Sequence, residues 1–129
     1  MKHDDIYIDK VLSYSIMRKA LNKCCRNVRW KDSIIGYELH ALEHTYNLIE
    51  EIKTGKYKIS DYQRFTIHEP KEREIVATRI RDRQVQMAMC LGGLYDDITE
   101  HFIYDNCACR KGKGTDFAIN RLHKFLRKE

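Results

Sequence analysis

Along residues 62–115, cationic side chains stand at turns and helix starts, where a phosphate could reach them. Lys71 and Arg73 flank Glu72 just after the only proline, Pro70. Arg83 opens the segment RDRQVQ beside Asp82, and Arg110, Lys111 and Lys113 crowd the turn CRKGKGTD. Lysine is a mobile point charge suited to a triphosphate, whereas a planar guanidinium pairs with two phosphate oxygens and also stacks on a base. Glycines before a helix start present backbone N–H groups to an anion. The chemistry these residues offer is phosphate binding, with solvated cations on exposed turns as the plain alternative. The last turn is not a Walker A loop, because the spacing G-x-x-x-x-G-K-[ST] is missing.

The elements that must position these groups follow from hydrophobic spacing. YQRFTIHEP alternates a Phe65/Ile67 face with Arg64, Thr66 and His68, halts at Pro70 and resumes with Ile75, Val76 and Ala77. That pattern predicts a β-hairpin with Lys71 and Arg73 at its tip. If the tip backbone stays extended, residues two apart share a face and both cations serve one triphosphate, whereas a tight turn breaks the alignment.

Residues 37–54 place Leu39, Leu42, Tyr46, Ile49 and Ile52 at intervals of three and four, which predicts a core-facing helix capped by Gly55. Residues 6–25, with Ile6, Val11, Leu12, Ile16, Met17, Ala20 and Leu21, suit one amphipathic helix or two short ones. In the connecting RNVRWKDSIIG, Trp30 is expected to close a small core between helices; stacking on single-stranded template is the alternative. Tyr57 is expected to pack.

Asp82 is expected to cap a helix beginning at Arg83. That helix carries Val85, Met87, Ala88, Met89, Leu91, Leu94 and Ile98 on more than one face, which predicts the most buried helix of the domain. Gly92-Gly93 within it serves close packing or a kink. Cys107 and Cys109 alternate in a strand-like lead-in, and Thr115 or Asp116 is expected to cap a last helix with the stripe Ala118, Ile119, Leu122, Phe125 and Leu126.

The ordered set FTIHEPKEREI, RDRQVQ and CRKGKGT resembles the fingers region of bacterial reverse transcriptases, the branch with group II intron, retron and diversity-generating retroelement enzymes. The likeness spans roughly residues 55–129, and GKY at 55–57 resembles an element that precedes the first fingers strand. The resemblance implies that Lys71 and Arg73 hold the incoming deoxynucleoside triphosphate. It places Arg83 near template or in an internal ion pair, and sets Arg110, Lys111 and Lys113 beside the template strand. It further implies RNA template, DNA primer and a palm domain as partners, the last helix packing on that palm or, without it, driving a homodimer. Two features depart from the group II intron pattern. The tip is short, with only Glu72 between the cations, and Thr78-Arg79 stands where a proline often follows.

Two-metal nucleotidyl transfer needs carboxylates to hold Mg²⁺, and in the resembled family the palm supplies them. The pair Asp96-Asp97 in LYDDIT lies in a helical run with no hairpin pattern, so it reads as solvated acids. No metal ligand is therefore expected in this chain, which reads as a fragment without palm or thumb, Mg²⁺ belonging to the full-length parent.

Composition fits this frame. The 129 residues are 33% charged and 43% hydrophobic, so a single small domain with its own core is expected over 1–129, comprising a helical part at 1–54 and the hairpin and motifs at 55–129. Net charge is +5, and the last twenty residues account for it: seven cations, Arg110, Lys111, Lys113, Arg121, Lys124, Arg127 and Lys128, against Asp116 and Glu129. Such a strip favours nucleic acid in a salt-dependent way. Five cysteines without C-x-x-C pairs read as free, mostly buried thiols in a reducing compartment. With no apolar run of membrane length and a polar start, a cytoplasmic location and no membrane partner are expected.

The expected fold class is α+β, mainly helical with one antiparallel β-hairpin, resembling the fingers subdomain of a right-hand polymerase. The expected role is binding of template and dNTP within an RNA-directed DNA polymerase. The alternatives are a stand-alone RNA-binding module and a non-catalytic interaction fragment.

Overall fold

A computed structural model describes the backbone over residues 2–127 and side chains over 7–127. The side chain of Ile6 and residues Lys128 and Glu129 lie outside the described residues. The chain is α+β, mainly helical with one two-stranded antiparallel hairpin, and it divides into two compact units, Met1–Leu94 and Tyr95–Glu129.

The first unit starts with two short helices, α1 (Lys2–Val11) and α2 (Tyr14–Cys25). Ser13 separates them and accepts a hydrogen bond from the N–H of Ile16 at 3.4 Å, satisfying a first-turn donor of α2. Helix α2 is the centre of the core: Met17, Ala20, Leu21, Cys24 and Cys25 recur along one side and all are buried. Val11 and Leu12 cover it, together with Leu48, Ile49 and Ala88 from later helices.

One helix was expected over 37–54, but there are two, α3 (Asp32–Leu39) and α4 (Ala41–Lys53), broken at His40 (φ −109°, ψ 26°). The face differs as well. Ala41, Thr45, Leu48 and Ile49 turn inward, whereas Leu39, Leu42 and Tyr46 are exposed. Both sets repeat at helical spacing, and the buried one contains a threonine whose hydroxyl is used in the core, so apolar spacing alone finds Ile49 and Ile52 but misplaces Leu39, Leu42 and Tyr46. Gly55 behaves as expected. At φ +68° it lets its own N–H reach Ile52 and the Lys56 N–H reach the Glu51 carbonyl at 2.8 Å, which closes the helix end.

Strands β1 (Gln63–Ile67) and β2 (Arg73–Ala77) pair with Phe65 opposite Ile75 and Ile67 opposite Arg73. Residues opposite one another share a face, so Gln63, Phe65, Ile67, Arg73, Ile75 and Ala77 form one side. Arg64, Thr66, Glu74 and Val76 form the other, where Arg64 and Glu74 are ion-paired at 3.2 Å.

Helix α5 (Ile80–Met89) packs along α2 and ends in a π-helical turn, Cys90–Leu94. The expected continuous helix through Ile98 is interrupted at Gly93, whose φ of +138° no other residue adopts easily. Gly92 is buried, and a Cβ there would lie 2.3 Å from Val11 Cγ2. The glycine pair thus provides both the close approach and the kink. Helix α2, with five buried apolar residues, takes the place expected for α5, whose Met89 is exposed.

The second unit comprises α6 (Tyr95–Glu100), a series of turns and α7 (Thr115–Leu126). None of its described residues is fully buried. The strand-like lead-in expected at Cys107 and Cys109 is instead a turn, with Cys109 at φ +54°. Gly114, rather than Thr115 or Asp116, is the N-cap of α7. Bends and a positive φ leave no second strand in register there, so side-chain alternation has no ladder to act on.

Candidate functional site

A cleft of about 520 Å³ opens in the first unit between the hairpin base, the start of α5 and the α2–α3 connection. Four cations line it, Lys31, Arg79, Arg81 and Arg83, with Ser33, Ser60, Gln63, Thr78 and Tyr37 among the polar groups and no carboxylate in the wall. Phe65 and Ala77 bring the apolar side of the hairpin into the same wall. Arg73 shares that hairpin side four residues farther along, roughly 13 Å at about 3.3 Å per residue. One strip therefore leads from the cleft to the tip.

The segment RDRQVQ holds this arrangement through two enclosed polar side chains. Asp82, expected as an N-cap, lies in the first turn of α5 after the cap residue Arg79. Its carboxylate faces away from the helix start and accepts the Tyr57 hydroxyl at 2.6 Å and the Ser60 N–H at 3.1 Å. This bolts the segment leading into β1 onto α5. Tyr57, expected to pack, joins the core edge as well as making this bond. Gln84 donates to the Met17 carbonyl at 3.1 Å and the Thr45 hydroxyl at 3.0 Å, and accepts from Tyr37 at 2.9 Å. Burial pushes the Tyr37 hydroxyl up to about 12. Burial, then the bond to Asp82, does the same for Tyr57. Both stay protonated donors.

The cations of the cleft divide into those that build it and those that are free. Arg81 is ion-paired with Glu51, donates to the Lys58 carbonyl at 3.2 Å and lies over the Tyr57 ring. Arg79 donates to the Asp61 carbonyl at 3.2 Å. The Arg83 guanidinium makes no ion pair among the described residues, so the internal pair considered for it belongs to Arg81 instead. The Lys31 ammonium makes no ion pair among the described residues and lies 5.3 Å from the Trp30 ring centroid. Beneath Arg83, its own carbonyl accepts from the Cys24 thiol at 3.4 Å, and burial raises the pKa of Cys24 and Cys25.

Lys71 and Arg73 are exposed, and neither side chain has a partner among the described residues. Residues 69–71 bend, however, and β2 begins only at Arg73. The alternation that would align the two cations on one face does not carry across that bend. His68 is exposed on the same connection.

In the second unit, Arg110, Lys111 and Lys113 turn back onto α6 and the turn that follows it. Arg110 donates to the carbonyls of Thr99 and Ile103, both at 3.4 Å. Lys113 bonds the Tyr104 carbonyl and lies 3.8 Å from the Tyr104 ring centroid. Lys111 lies over Tyr95 at 4.9 Å but remains exposed. Arg121 pairs with Asp105 at 2.5 and 2.9 Å, which holds the Asp105 carboxyl below its ordinary range. Much of the C-terminal charge is thus used locally, whereas the cleft of the first unit gathers four cations and no acid.

No protein-family model matches this chain, and no curated protein matches it. Among the described residues no cluster of three or more His, Cys, Asp or Glu could hold a metal ion. Asp96 and Asp97 are exposed in the first turn of α6. Cys24 and Cys25 are buried as expected for free thiols, whereas Cys90 and Cys109 are exposed. No helix among the described residues is long and apolar enough to cross a membrane.

Arg79, Arg81 and Lys31 become site residues only through the fold. Arg79, Arg81 and Arg83 alternate across the entry to α5, a spacing visible in the chain. Lys31 is fifty residues away and joins them through α3 alone.

Proposed function

We propose that this chain is a fingers-type region of an RNA-directed DNA polymerase, in which the cleft guides template and the hairpin tip receives the incoming dNTP. What carries the reading is the continuous strip from an acid-free cleft lined by Lys31, Arg79, Arg81 and Arg83 to Arg73 on the same hairpin side. A polyanion gains most from cations that have no internal anion to satisfy, so Arg83 and Lys31 contact the template backbone. Lys71 and Arg73 take the triphosphate, the lysine following it as a mobile charge and the guanidinium pairing with its oxygens. The exposed stripe of α7, with Ile119, Leu122, Phe125 and Leu126, is the face assigned to a palm domain. The metal-holding carboxylates and their Mg²⁺ are assigned to that palm, and the setting is cytoplasmic.

Titration with a dNTP tests the reading. Lys71→Ala and Arg73→Ala should each weaken triphosphate affinity about tenfold, the worth of one charge-assisted hydrogen bond, while leaving RNA affinity nearly unchanged. Equal triphosphate affinity in parent and variants would overturn it. RNA binding with no triphosphate binding at all would favour a stand-alone RNA-binding module.

A further inference from the structure

Trp30 is the sole tryptophan of the chain and is 75% exposed. It was expected to close a core, but the turn after α2 carries it outward, and Val28 and Ile34 pack against the core in its stead. A ring of this size ordinarily hides most of its surface. Its nearest sequence neighbours Arg29, Lys31, Asp32 and Ser33 are all exposed and polar. Arg29 is tied to Glu38 at 3.1 Å. Lys31 links the ring to the cleft, because its Nζ lies 5.3 Å from the ring centroid and its side chain lines the cleft wall.

We infer that Trp30 is a stacking platform for an unpaired base of a single nucleic-acid strand whose phosphates pass Lys31 into the cleft towards Arg83. This rests on the template reading above and adds the state of the strand, which must be unpaired where it meets the ring. Stacking needs a free π-face, and in a duplex each base already lies between its neighbours. The cation beside the ring neutralises the phosphate that accompanies the stacked base, so ring and charge act on one nucleotide. Every base has a π-face, which makes the platform tolerant of sequence.

A lone tryptophan makes the test direct, since all indole emission comes from the proposed contact. The 129-residue chain is titrated with oligo(U) and oligo(dT) of about ten nucleotides, within the span such sites cover, and in parallel with a duplex of equal length and with inorganic tripolyphosphate. Single strands should quench Trp30 emission, and duplex and tripolyphosphate should not. Trp30→Ala should weaken single-strand binding about tenfold, Trp30→Phe should restore most of it, and circular dichroism of both should match the parent. Quenching by both oligomers or by RNA alone supports the proposal, the second adding a sugar contact. The platform is overturned if a single strand binds without quenching, if Trp30→Ala binds as tightly as the parent, or if duplex or tripolyphosphate quenches equally. In those cases the template reading survives wherever Arg83→Ala still weakens strand binding. If no strand binds at all, both fall together.

Discussion

Gln84 is fully enclosed, and its amide is committed on both sides, to Met17 and Thr45 as donor and to Tyr37 as acceptor. Replacing it by leucine keeps the volume but removes the partner of three groups, two of them on the fully buried residues Met17 and Thr45. Gln84→Leu should therefore cost roughly 2–4 kcal/mol in urea unfolding with little change in denaturant slope. The tyrosines beside this network predict a pH dependence. Tyr37 and Tyr57 release their protons near 12 in the folded chain against 10 when unfolded. Below pH 10 both states hold the proton and the full contribution is present. As pH rises from 10 towards 12 the unfolded chain loses protons that the folded chain keeps, so stability falls. Melting temperature measured across that window should drop more steeply for the parent than for the Tyr37→Phe/Tyr57→Phe double variant.

Helix junctions carry the constraints at the next scale. Gly92 lets the end of α5 touch Val11, and a methyl group there meets the branched side chain of a buried residue at 2.3 Å. Gly92→Ala should destabilise by about 1–3 kcal/mol, measured by chemical unfolding. Gly36 has open space around its Cβ position and no positive φ, so Gly36→Ala in α3 should be neutral or stabilise by up to about 1 kcal/mol in the same assay. The hairpin behaves differently from the helices. Its β1 residues are exposed throughout and the tip cations are exposed with no side-chain partner among the described residues, so truncating Lys71 or Arg73 should leave unfolding within about 0.5 kcal/mol of the parent. Any loss of triphosphate affinity in those variants then reports on the ligand contact alone.

For the molecule as a whole, charge distribution matters more than the net +5. Arg110, Lys113 and Arg121 of the second unit are spent on carbonyls or on Asp105, whereas among the described residues Arg83 and Lys31 of the first unit have neither a carbonyl nor a carboxylate partner for their side chains. Single-strand affinity should fall linearly with salt on logarithmic axes, and Arg83→Ala should reduce that slope by about 0.7, one phosphate's share. Lys113→Ala should leave the slope unchanged. Several of these features were legible in the chain: the hairpin and its apolar side from period-two alternation, the α4 end from Gly55, a helical N-terminal stretch that spacing left as one helix or two, and a special role for Gly92-Gly93 that was left between close packing and a kink. Each depends on neighbours a few residues away, and backbone geometry settles it locally. The buried side of α4, the outward Trp30, the inward Asp82 and Gln84, and the internal use of Arg110 and Lys113 were decided by the tertiary structure. They depend on partners such as Thr45, Ser60, Met17 and Tyr104, which local spacing does not identify. A polar side chain reads as surface until its enclosed hydrogen-bond partner is known, and a cation reads as free until the carbonyl or ring beside it is in place.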